Sequence, residues 1–229
     1  MILFEKVTKK FGEILALDDI SFQIEKGEFV FLTGPSGAGK TTAIKLILGE
    51  YLPTFGEIEV AGEKVNKIPR RKLYQWRRKV GVVFQDYKLF FDRTVEENII
   101  LPLQIQKIPS SEAKTRVEKI LKLVGLTQRA NLFPAQLAGG ELQRATLARA
   151  IVIKPEVLLA DEPTGNLDPT TSHEMVKLFK EINESGTTVL MATHNRDIVD
   201  SFKVRVIELR SGKVVRDEKE GKYCKETQN

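Results

Sequence analysis

Residues 28–48 read EFVFLTGPSGAGKTTAIKLIL, and three patterns follow one another in that stretch. Residues 28–32 are a short β-rich run, residues 34–41 (GPSGAGKT) fit the spacing G-x-x-x-x-G-K-[ST] in full, and residues 42–48 carry apolar side chains at helical spacing. In a strand, glycine loop and helix of this kind, consecutive backbone N–H groups turn inward and the helix N-terminus adds positive potential, so the loop can cradle phosphate oxygens. Gly34, Pro35, Ser36, Gly37, Ala38 and Gly39 form the cradle. Lys40 is placed to reach the β and γ phosphates, Thr41 offers a hydroxyl to Mg²⁺, and Thr42 helps hold the α-phosphate side. A glycine turn matches these four constrained positions by chance in about one chain of this length per hundred. A strand before it and a helix after it make chance much rarer.

Two further stretches bear on chemistry. VLLADEP, residues 157–163, is an apolar strand that ends in Asp161 and Glu162, delivering two carboxylates to the C-terminal edge of a sheet. Asp161 is suited to hold Mg²⁺ through its water shell, and Glu162 to orient and deprotonate an attacking water. Alone, the run fits a solvated acidic turn equally well; beside the phosphate loop, the chemical reading is favoured. In LAGGELQRATLARAI, residues 137–151, Gly139 and Gly140 precede a helix and present a second cluster of N–H donors to an anion. No lysine follows. In isolation this is a glycine turn entering a helix; with the loop, it makes most sense as half of a composite site completed by another copy.

The rest of the chain alternates. The runs ILFEKV, ISFQI and EFVFL read as an antiparallel patch leading into a core strand. KVGVVFQ is a strand ending at Gln85, and residues 94–126 read as helical. A helix from Glu141, a strand at VLLAD, a helix from about Thr170, a strand at TTVLMAT and a short helix follow, and then the hairpin VRVIELRSGKVV turns at Ser211 and Gly212. The order predicts an α/β fold: a P-loop NTPase parallel-sheet core with an N-terminal antiparallel β subdomain and a helical subdomain. We expect one domain over residues 1–216, with a helical lobe at about 87–140 inserted in the core, and a frayed charged tail at 217–229.

Composition narrows the setting. The 229 residues are 41% hydrophobic, enough for a sizeable core. The single cysteine, Cys224, has no partner for an intramolecular disulfide. The start carries no apolar core of a signal peptide, and no run is long enough to span a bilayer. With 36 basic against 31 acidic residues the excess is mild, and the cations scatter apart from RR at Arg70 and WRRK at Trp76, so a nucleic-acid groove is not expected.

These elements in this order resemble the ABC ATPase subunits over nearly the whole chain. The resemblance implies that Phe11 stacks on adenine, that Gln85 senses Mg²⁺ and couples to a partner, and that Leu137, Ala138, Gly139, Gly140 and Glu141 form the signature loop. It likewise implies that Asn166, Leu167 and Asp168 form the D-loop, and that His194 is the switch histidine contacting the γ-phosphate. Read singly, Phe11 suits a core, Gln85 a polar strand end and His194 a structural role. The usual signature L-S-G-G has Ala138 in place of its serine, so a hydroxyl to the γ-phosphate is missing while the backbone donors remain.

FLTGPSGAGKTT, GVVFQDYKLFFDRTVEEN, LLADEPTGNLD and TVLMATHN are similar to the cell-division members of that family; lipoprotein-release and macrolide-export ATPases, which share EPTGNLD, are the alternative. The resemblance implies an ATP-dependent homodimer, peripheral on the inner face of the plasma membrane. It also implies an integral membrane partner (FtsX-like) docking near residues 85–91, where Tyr87, Leu89, Phe90 and Phe91 offer apolar surface or are partly core. A soluble DNA-repair or translation ATPase usually carries tandem halves or a coiled-coil insertion, absent here. A nucleotide binder without turnover has no use for Glu162, Gln85 and His194.

Overall fold

The computed structural model describes residues 1–223. Strands β1 (Ile2–Phe11) and β2 (Ile14–Ile24) form a hairpin, and β4 (Phe55–Val60) and β5 (Glu63–Lys64) extend it into a four-stranded antiparallel sheet in the order β2-β1-β4-β5. The larger sheet joins β3 (Phe29–Thr33), β6 (Val80–Phe84), β7 (Val157–Asp161), β8 (Thr188–Ala192), β9 (Arg205–Arg210) and β10 (Lys213–Glu218) in the order β10-β9-β3-β8-β7-β6. All its pairings are parallel except β10 with β9.

Period-2 alternation splits the core between the two faces of this sheet. Val30, Leu32, Leu190 and Ile207 face α1 (Lys40–Ile47) and the antiparallel sheet, whereas Phe31, Val189, Met191 and Val206 face the other way. That second face is covered by α5 (Gly139–Ile151), α6 (Pro169–Glu184) and α7 (Arg196–Phe202). Helices α3 (Val95–Ile105) and α4 (Ser110–Leu123) pack on α5 around a separate apolar cluster including Val95, Ile99, Val117 and Ala145. A short helix α2 (Leu73–Arg77) fastens to α1 through buried Trp76, whose Nε1 donates to the Ile47 carbonyl at 3.0 Å.

Three boundaries differ from the sequence reading. The helical run 94–126 is broken, because Lys107 takes a left-handed φ of 59° and Pro109 bars continuation. Helix α5 begins at Gly139, not Glu141, so both glycines lie in its first turn. The tail reading is corrected for 217–223: β10 runs to Glu218, Gly221 N–H donates to Val204 O at 3.3 Å, and Tyr223 N–H donates to Asp200 at 2.6 Å. The remainder of the expected tail, with Cys224, lies outside the described residues.

Candidate nucleotide site

Register explains why the chemistry gathers at one edge. Phe84, Asp161 and Ala192 are aligned across β6, β7 and β8, and Leu32 of β3 pairs with Ala192. The residues that follow each strand, Gln85, Glu162, His194 and the glycine loop, therefore leave the sheet together at its carboxyl end. They border a cleft of about 420 Å³ with Thr41 and Thr42.

The loop's glycines answer two demands. Gly34 has φ 138°, and a Cβ there would stand 2.1 Å from Leu209 O; Gly39 has φ 107°, and a Cβ there would stand 2.7 Å from Ala16 O. Conformation and crowding thus exclude side chains at both ends of the loop. Lys40, only 7% exposed in its side chain, donates to Gly34 O at 2.8 Å and Pro35 O at 3.2 Å, and its Nζ lies 3.4 Å from Glu162 Oε1. The ammonium is thereby held over the loop's centre.

Thr41 Oγ1 donates to Asp161 Oδ1 at 3.1 Å. Burial pushes the Asp161 carboxyl above its ordinary range, partly countered by the Thr41 hydroxyl. Glu162 sits at a left-handed φ of 51°, fixed by its N–H to Ala192 O at 3.0 Å, and its side chain is 13% exposed. Its carboxylate lies 2.8 Å from His194 Nδ1 and accepts the His194 backbone N–H at 3.3 Å. With Nδ1 occupied, the Nε2 edge of the ring is the one available to a phosphate. Gln85 Nε2 approaches Asn166 Oδ1 at 3.5 Å, linking the β6 exit to the loop that precedes α6.

The second glycine pair lies elsewhere. Ala138 is the N-cap of α5 and contributes no side-chain cap, so the N–H groups of Gly139, Gly140 and Glu141 are left for another acceptor. Glu141 instead turns back: its Oε2 accepts Ala138 N–H at 3.0 Å and its Oε1 accepts Arg129 Nε at 2.8 Å. The Arg129 guanidinium, then the Ala138 amide, hold the Glu141 carboxyl below its ordinary range. These residues border a cleft with Asn166, Leu167 and Asp168 that shares no lining residue with the loop cleft. Asp168 caps α6, accepting Thr171 N–H at 3.1 Å. Leu137 packs against the lobe core.

Phe11 is not among the residues bordering the loop cleft; its ring packs edge-on against Tyr51 at 5.0 Å beneath Lys9. Ile14, 69% exposed, with Leu15 and Ala16, forms the apolar rim there instead. The sequence reading missed these; their one signal is an apolar pair immediately after the Gly12 turn. Of the residues after Gln85, Leu89 is buried and Tyr87 packs on the lobe core, while Phe90 and Phe91 are exposed at 48% and 56%. Buried Asn98 fixes this segment, accepting Phe90 N–H at 2.8 Å and donating to Phe90 O at 2.9 Å. Among the described residues no group of three or more His, Cys, Asp or Glu side chains could hold a metal by itself, and no helix is long and apolar enough to cross a membrane.

Comparison with known proteins gives the same reading. A family model described as ABC transporter matches residues 17–165. The chain is 48% identical over 225 residues to the cell division ATP-binding protein FtsE of Mycobacterium tuberculosis, covering 97% of this chain and 98% of that protein. It is 49% identical over 224 residues to the FtsE of Bacillus subtilis, covering 97% and 98% respectively. Its fold is similar to a dimeric post-hydrolysis structure of the ATP-binding cassette MJ0796 bound to ADP and Pi, with TM-score 0.87, 37% identity and coverage of 97% of this chain and 100% of that one. It is also similar to CbiO1 of Clostridium perfringens, with TM-score 0.88, 29% identity and coverage of 95% and 88%. By its site, its fold and its similarity over nearly its full length, the chain belongs to the ABC transporter family as an ATP-hydrolysing subunit.

Proposed function

We propose that this chain is the ATPase of a cell-division membrane complex of the FtsE kind, working as an ATP-dependent homodimer with an FtsX-like integral membrane partner. In this reading, ATP cycling at the inner face of the membrane moves the partner and so regulates peptidoglycan hydrolysis without transporting a solute. The observation that carries the cell-division role is the 45–49% identity, over nearly the whole chain, to the cell division ATP-binding proteins FtsE of Mycobacterium tuberculosis, Bacillus subtilis and Escherichia coli.

The mechanism follows from the two separate clefts. Each copy contributes a cradle with Lys40 and a second donor cluster with no lysine of its own, where Arg144 is paired with Glu174, so two copies related by a two-fold axis enclose two ATP molecules. Each loop then faces the other copy's Ala138, Gly139, Gly140 and Glu141, and closure excludes water. Lys40 exchanges the Gly34 and Pro35 carbonyls for β- and γ-phosphate oxygens. Glu162 takes the proton of the attacking water, with its carboxylate aimed by His194 Nδ1 while the opposite ring edge meets the γ-phosphate. Phe11 and the rim at Ile14 are the candidates to meet the adenine.

The donors Thr41, Asp161 and Gln85 suit Mg²⁺: hard oxygens at one sheet edge, with a carboxylate whose burial favours a nearby cation. Bound there with the phosphates, Mg²⁺ would neutralise charge developing on them. Phe90 and Phe91 border the surface offered to the membrane partner. Phosphate release by the purified chain, abolished by Glu162→Gln with ATP binding retained, tests the chemistry. Co-purification with the neighbouring membrane protein tests the role; a Glu162→Gln chain that hydrolyses ATP normally refutes the assignment of the base.

A further inference from the structure

We propose that the exposed basic turn Arg70–Lys72, with Tyr74 and Arg78, contacts anionic phospholipid headgroups. The inference rests on the reading above that the surface bordered by Phe90 and Phe91 receives the membrane partner, since such docking turns this rim toward the leaflet.

Residues 70–79, RRKLYQWRRK, contain six cations and no acid. Trp76 is buried and Arg77 Nε is committed to Leu48 O at 3.0 Å, so the segment is pinned from beneath while its outer side stays in solvent. Neighbouring cations are paired: Lys79 with Glu63 at 3.2 Å, and Lys64 and Lys67 both with Glu57, whose carboxyl they pull down to about 2. Arg70, Arg71 and Lys72 are exposed, and among the described residues no carboxylate lies within ion-pair distance of them. Three adjacent unpaired cations repel one another in the free chain, and a surface of negative charge relieves that repulsion.

The turn is continuous with an apolar groove. Arg78 stacks over the Tyr74 ring at 5.1 Å and donates to Ile105 O at 3.2 Å, and Tyr74, Val82, Phe90, Pro102 and Ile105 line a groove of about 470 Å³. Exposed Tyr74 and Ile105 beside cations make the mixed aromatic, apolar and basic rim that suits a headgroup interface. Each cation near an anionic leaflet strengthens binding about fivefold, so three together contribute on the order of 100-fold.

The test is co-sedimentation of the purified full chain, without its partner, with vesicles containing phosphatidylglycerol and with vesicles of phosphatidylcholine alone. The chain should bind only the former, and binding should fall as salt rises. Arg70→Gln/Arg71→Gln/Lys72→Gln should lower the partition on the order of 100-fold, whereas Lys119→Gln/Lys177→Gln/Lys180→Gln, which removes equal charge elsewhere, should leave it near that of the wild type. Absence of wild-type binding, or equal loss in both triple variants, overturns the proposal. So does a basic-turn variant that still binds vesicles but no longer retains the membrane protein, which assigns the turn to an acidic protein segment. Partner retention is read separately through Phe90 and Phe91, so vesicle binding can fail while the docking reading stands.

Discussion

Ala138→Ser should tighten the ATP-bound dimer, and the structure sets the size of the effect. Ala138 caps α5 with extended backbone angles of φ −71° and ψ 160°, and nothing but a methyl group stands where a hydroxyl would sit. In the free monomer a serine there accepts an N–H of its own helix, adding about 1 kcal/mol to stability. In the dimer the hydroxyl instead meets the γ-phosphate held by the other copy's loop, and a hydrogen bond to a charged group contributes about 1.5 to 3 kcal/mol. Subtracting the cap that is given up leaves about 0.5 to 2 kcal/mol per site. Over two sites this is about 1 to 4 kcal/mol, or a dimer Kd tightened by about fivefold to about a thousandfold. A sedimentation titration with ATP, in a Glu162→Gln background so that the nucleotide survives, measures it. Equal dimerisation with and without the substitution would refute the reasoning, as would a gain in monomer melting temperature accompanied by a weaker dimer.

Three further outcomes are expected. Gly34→Ala should weaken ATP binding at least tenfold, read with a fluorescent nucleotide, because its Cβ would meet Leu209 O at 2.1 Å at a φ of 138° and the loop must move. Since the folded state holds the Glu141 carboxyl below its unfolded value, its contribution is present above the ordinary glutamate range and lost as pH falls through the depressed folded value. Glu141→Gln should accordingly lower the melting temperature at neutral pH, and the gap from wild type should close on acidification; a pH-independent gap contradicts this. Phe90→Glu with Phe91→Glu should abolish co-purification with the membrane partner while ATP binding persists, as both rings are exposed and neither borders the nucleotide cleft.

Some of this was legible in the sequence because the chemistry is local. The phosphate loop needs glycine where φ is positive and a lysine at its end, and both are written in adjacent residues. The core strands β3, β6, β7 and β8 were legible as short apolar runs followed by chemistry-bearing residues, whereas β4 and β5 were not read from the sequence. Nor was the cleft rim. The β1–β2 register shifts between Phe4 and Val7, Val7 and Lys9, and Lys9 and Lys10, and each irregularity disturbs which face a side chain occupies. Sequence spacing therefore does not say whether Phe11 or Ile14 borders the nucleotide cleft. The break near Lys107 had a signal in Pro109 that the reading of 94–126 as one helical stretch did not use, whereas the left-handed backbone of Lys107 itself carries no compositional mark. The ordering of residues 217–223 depends on Val204 and Asp200, anchors that are distant in the chain.

The central claim is that the loop is half of a site completed by a second copy, and subunit mixing tests it most directly. Lys40→Ala disables the loop half, and Gly139→Asp places a negative charge in the other half, where a side chain has room because the nearest atom to a Cβ is Tyr87 Oη at 3.5 Å. Each variant alone should release no phosphate. Mixed equally, at concentrations where Glu162→Gln dimerises with ATP, they should recover about one quarter of wild-type activity, since half the dimers are mixed and each mixed dimer keeps one intact site. A mixture no more active than the two variants separately would contradict the composite site.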